Sequence, residues 1–155
     1  MKISYIEKED IEEIELSGKA CFLNMQLDKL GLKYCKKSYK NNLQRYIDND
    51  LYLALKCSDD KQILGALCAY GSSQIFSDSH TALNVFMMQA KPTLKPFTKG
   101  RVIKKLLQET QRICKATNIN VLQIGTMHSN DMSKYFERRN FKQGDIFYYK
   151  EVNKL

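Results

Sequence analysis

Residues 91–115 carry the densest set of side chains able to do chemistry. Eight cations (Lys91, Lys95, Lys99, Arg101, Lys104, Lys105, Arg112, Lys115) stand there against one acid, Glu109. Any single lysine reads as solvated surface, but eight around Gly100 read as a site for an anion, either a phosphorylated cofactor or a nucleic acid. The two histidines, His80 and His128, are the side chains that titrate near neutrality. Five cysteines (21, 35, 57, 68 and 114) are widely spaced, form no Cys-x-x-Cys pair, and with two histidines give no metal-ligand pattern. Reduced thiols and a cytoplasmic location are the expectation, with no metal.

Elements must position these groups. The chain has 155 residues, 43% hydrophobic and 27% charged, with a formal charge of +8, which fits a single domain over residues 1–155 with its own core. Its apolar runs fall short of the ~18–20 residues a membrane span needs, and none follows Met1-Lys2, so neither a span nor a secretory leader is expected. Charge is uneven: residues 1–30 hold four Lys and seven acids, so the positive excess lies further on.

Alternation predicts a first strand at Lys2–Ile6, and acids at Glu9–Glu13 open a helix with Gly18 as a possible break and Gly31 as its end. A second helix is predicted over Ser38–Asp48. A hairpin follows, with strands at Leu51–Cys57 and Ile63–Tyr70, then a long strand at Thr81–Ala90. Pro92 and Pro96 place residues 91–99 in a loop, and beyond Gly100 the apolar period is helical as far as Asn118. A buried strand at Val121–Thr126, a short helix at Met132–Arg139 ended by Asn140, and a strand at Ile146–Tyr149 complete the order β-α-α-β-β-β-α-β-α-β.

That order, with a basic loop leading into the third helix, resembles the GCN5-related N-acetyltransferase (GNAT) family. The diagnostic part is residues 82–141. The family's Arg/Gln-x-x-Gly-x-Gly/Ala signature corresponds to Thr98-Lys99-Gly100-Arg101-Val102-Ile103, with the second small residue missing. Its Asn-x-x-Ala and Tyr-Glu-Lys-x-Gly-Phe correspond to Asn130-Asp131-Met132-Ser133 and to Tyr135 through Phe141, with Asn140 in place of the glycine. The fold implied is α/β, a mixed, mostly antiparallel, splayed sheet flanked by helices. The implied function is acetyl-CoA-dependent acetyl transfer to an amine. Lys99, Gly100, Arg101, Val102 and Ile103 would meet the pyrophosphate at a helix N-terminus, with Asn130 also on the cosubstrate. Met88, Gln89 and Ala90 would pair with the pantetheine arm through their main chain.

Tyr135 is the candidate acid for the leaving thiolate, since the family's tyrosine position holds Phe136 here. His128, directly after the fifth strand, is the candidate base, with His80 and Asp78 as second choices. On the acceptor side, Lys33, Lys36, Lys37, Lys40 and Arg45 suggest an anionic macromolecule, tRNA or an acidic protein surface. The altered signature also admits a catalytically inactive binding or inhibitory module that keeps the fold, and either a monomer or a homodimer.

Overall fold

The computed structural model describes residues 1–24, 26–73, 81–125 and 132–143. Among these residues, five strands form one open sheet in the order β1-β2-β3-β4-β5. They are β1 (Lys2–Tyr5), β2 (Tyr52–Ser58), β3 (Ile63–Ser73), β4 (Thr81–Ala90) and β5 (Val121–Ile124). The first three pairings are antiparallel and β4–β5 is parallel. A parallel pair needs a crossover, and the helix α3 (Pro96–Ala116) supplies it. The helices α1 (Ile11–Asn24), α2 (Lys36–Ile47) and α4 (Ser133–Glu137) complete the described α-helices, with short 3-10 turns at Lys8–Asp10 and Leu27–Leu30. No helix among the described residues is long and apolar enough to cross a membrane.

Strand periodicity splits the core in two. Leu53, Leu55, Leu67, Ala69, Leu83 and Val85 pack with Val102, Leu106 and Leu107 of α3 and Phe136 of α4. Ala54, Ala66 and Cys68, out of phase by one residue, pack with Ile11 and Ile14 of α1 and Leu43 of α2. The sheet is therefore sandwiched between α3/α4 and α1/α2. Gly65 permits the tight α3 face: a Cβ there would lie 2.5 Å from the Gln89 carbonyl oxygen and 2.6 Å from a Val102 methyl.

Two helices differ from the sequence expectation. Gly18 does not break α1 and is buried beneath two tyrosines, with the Tyr34 hydroxyl oxygen 2.8 Å and the Tyr39 ring 3.0 Å from where a Cβ would stand. The third helix starts at Pro96, a turn earlier than expected, with Pro96 at its first position, where a missing N–H costs nothing. The strand expected at Ile146–Tyr149 lies outside the described residues.

Candidate active site at the fork of β4 and β5

The parallel pairing runs from Ala82 opposite Val121 to Val85 opposite Ile124. At that point β4 carries a bulge. Cys68 faces Met87 and Ala69 faces Val85, so Phe86 has no partner on β3. A bulge bends and twists its strand, and β4 runs on from it to Ala90 beyond the last β5 partner. The ladder phase tells which main-chain groups face the gap. Lys91 N–H donates to the Leu64 carbonyl at 2.8 Å, and antiparallel bonding recurs every second residue, so Gln89 also turns its main chain to β3. Met88 and Ala90 turn theirs to the other side, where β4 has no strand partner beyond Val85 among the described residues. Gln89 instead has a buried side chain, which accepts from the Tyr39 hydroxyl at 3.2 Å and reaches the Ile14 carbonyl at 3.5 Å.

The start of α3 stands beside this edge. Lys95 is its N-cap, and the first intrahelical bond runs from Lys99 N–H to the Lys95 carbonyl at 3.0 Å, so the amides of Phe97 and Thr98 have no intrahelical acceptor. Gly100 sits in the second turn, exposed, with nothing within 4 Å of a Cβ position. Arg101 is exposed, its guanidinium 6.0 Å from the centre of the Phe97 ring. Val102 and Ile103 are buried against the sheet, so their side chains pack and do not face a ligand.

On α4, Phe136 is buried and makes edge contacts with Tyr135 and Phe141 at 5.5 and 5.4 Å between ring centres. Tyr135 is half-buried and packs against the same cluster, yet its hydroxyl oxygen is buried with no hydrogen-bond partner among the described residues. The Arg139 guanidinium lies 3.6 Å from its ring centre. Burial pushes the Tyr135 hydroxyl above its ordinary pKa, and Arg139 only partly opposes this. His128, Asn130, His80 and Asp78 lie outside the described residues.

Sequence reasoning misses Glu15, an acid on the inner face of α1 with Ile11, Ile14 and Gly18. Its carboxylate is 6% exposed, accepts from the Tyr34 hydroxyl at 2.7 Å and pairs with Lys36 at 2.9 Å. Burial acts to raise its pKa, but Lys36 and Tyr34 outweigh that and hold it below the ordinary value. The signal is present in the sequence, since a carboxylate at helical spacing from two isoleucines must be buried. Lys40 pairs with Glu12. Two of the lysines expected to guide an anionic acceptor are therefore neutralised by α1, while Lys37 has no acidic partner among the described residues.

No family model matches the chain, and no curated protein matches it. Solved structures do. A predicted acetyltransferase from Clostridium acetobutylicum, crystallised with acetyl-CoA, superposes with a TM-score of 0.69 at 13% identity, covering 96% of this chain and 94% of that one. A ribosomal-protein-alanine N-acetyltransferase from Brucella melitensis gives 0.70 at 13% identity, over 97% and 98%. An aminoglycoside acetyltransferase from an uncultured soil metagenomic sample, in complex with sisomicin, gives 0.68 at 16%, over 96% and 95%. Likeness over nearly the whole length at such low identity shows a shared fold, the GNAT-like α/β fold with its open, mostly antiparallel sheet.

Proposed function

We propose that this chain, built on the acetyltransferase fold, moves an acetyl group from acetyl-CoA to an amine. The observation that carries the reading is the fork: a bulged β4 whose Met88 and Ala90 main-chain groups point away from β3 and have no strand partner among the described residues, next to a basic helix start. When bound, acetyl-CoA supplies a thioester, an acyl group already activated toward an amine. Met88 and Ala90 hold its amide-bearing arm as an added strand would be held. Lys99, Arg101 and the first amides of α3 hold the pyrophosphate, with Gly100 leaving room for close approach. Asn130 is assigned to the same ligand.

The residues then manage two protons. A base must take one from the ammonium so that the nitrogen can attack, and His128, following β5, is assigned to it. As the new C–N bond forms and the C–S bond breaks, Tyr135 Oη gives its proton to the departing sulfur. Its buried hydroxyl, which has no hydrogen-bond partner of good geometry among the described residues, supports that role, because the O–H stays protonated at neutral pH and is free to turn toward the sulfur. Calorimetry with acetyl-CoA, followed by a thiol-release assay over amine acceptors, tests the reading. Micromolar binding and acceptor-dependent thiol release are expected. Absence of binding to wild type overturns it.

A further inference from the structure

Four aromatic rings meet on the α1/α2 face of the sheet, beside the fork. Tyr52 and Tyr70 stand directly opposite each other on β2 and β3, Phe86 is the bulged residue of β4, and Tyr46 comes down from α2. Ring centres are 4.8 Å apart for Tyr46–Tyr52, 4.9 Å for Tyr46–Phe86, 6.0 Å for Tyr70–Phe86 and 6.2 Å for Tyr52–Phe86. Such a cluster ordinarily closes a core, yet Tyr70 is 41% and Phe86 43% exposed. Hydrophobic area left open in a continuous patch marks a contact surface.

Position decides what would cover it. The body of α3 packs on the opposite face of the sheet, through Val102, Leu106 and Leu107, with Val85, Met88 and Ala90. A cosubstrate held there leaves the α1/α2 face as the side from which a second reactant reaches the fork. Phe86 follows Val85, the last β4 residue paired to β5, so its ring flanks that entry. Resting on the acetyl-transfer reading, we infer that the acceptor is a primary amine carried on a flat apolar or aromatic body, which stacks on Phe86 and Tyr70 while its nitrogen reaches the fork. The bulge then has two effects: it opens the strand pair and turns one aromatic ring toward the acceptor.

The test compares 2-phenylethylamine with spermidine as acceptors in the thiol-release assay. 2-Phenylethylamine should be preferred, and Phe86→Ala or Tyr70→Ala should cut its kcat/KM about tenfold through a higher KM, leaving acetyl-CoA affinity unchanged. Both rings are partly exposed, so the variants should fold, and Phe86→Tyr should restore activity. Saturation-transfer NMR of 2-phenylethylamine without acetyl-CoA reads the patch independently. If wild type binds no acetyl-CoA, the transfer reading fails, yet an amine ring signal that disappears in Phe86→Ala would still support the patch. Equal use of the two amines, or 2-phenylethylamine binding that ignores both substitutions, overturns the inference. A dimer that Phe86→Ser converts to monomer, with amine binding intact, also overturns it by assigning the patch to a second copy of the chain.

Discussion

Tyr135→Phe removes one oxygen, and that oxygen is buried without a partner among the described residues, so the fold should lose nothing by it. Deleting an unsatisfied buried hydroxyl is neutral or stabilising, by up to about 1–3 kcal/mol. If the hydroxyl protonates the thiolate, turnover should nevertheless fall by about 10²–10⁴-fold with acetyl-CoA affinity retained. A variant at least as stable and hardly active is the expected result, read from urea midpoints and thiol release. Phe136→Ala should do the opposite, costing about 3–5 kcal/mol because the ring is 6% exposed among core side chains. Glu15 gives a pH signature. Its folded pKa lies below the ordinary 4.5, so its pairing contributes stability above that value and loses it as pH falls through the depressed folded pKa. Glu15→Gln should flatten the acid limb of stability against pH, measured by denaturant midpoints from neutral pH downward. An unchanged acid limb would mean that the Lys36 and Tyr34 contacts do not persist in solution.

At the scale of elements, the third helix shows how one residue can point two ways. In sequence Pro96 reads as loop punctuation, although the first helical position is where proline fits best. As a result Gly100 stands inside the helix with ordinary backbone and open space around it. A helix-interior glycine costs stability, and no contact in the protein requires one here. Gly100→Ala should therefore raise stability by about 0.5–1 kcal/mol, while acetyl-CoA binds more weakly because the bare backbone is where phosphate approaches. Unchanged affinity would place the phosphates elsewhere along the helix. The strands are legible in the sequence because alternation and turn residues are local, and so are the left-handed ends: Asn118 and Asn140 have φ of 55° and 62°. The bulge at Phe86 and the face of each Met87–Ala90 residue are not legible there. They depend on register against β3, which is a tertiary fact. Gly65 is the same kind of case, an ordinary strand glycine in sequence that proves to be the contact point of α3 with the sheet.

Across the whole molecule, charge is arranged by face. The acids of α1 answer the lysines of α2, through Glu12 with Lys40 and Glu15 with Lys36, and Lys56 pairs with Asp10. On α3 the one described ion pair is Arg112 with Glu109, which leaves Lys99, Arg101, Lys104, Lys105 and Lys115 without acidic partners among the described residues. Much of the net +8 therefore acts from the α3 side, where the anionic cosubstrate is proposed to enter, and not from the α2 run that suggested a polyanionic acceptor. This arrangement predicts opposite responses of the two substrates to salt. At low ionic strength the field of α3 draws acetyl-CoA in and repels a cationic amine; at 0.1 M the screening length is about 10 Å and both effects shrink. Raising salt should increase the KM for acetyl-CoA and leave that for 2-phenylethylamine unchanged or slightly lower. Lys104→Glu with Lys115→Glu should mimic added salt for acetyl-CoA, whereas Lys37→Glu should leave its KM where it was. Steady-state kinetics at several ionic strengths check this. A KM for acetyl-CoA indifferent to salt and to α3 reversal, but sensitive to Lys37, would return the anion site to α2 and with it the macromolecular acceptor.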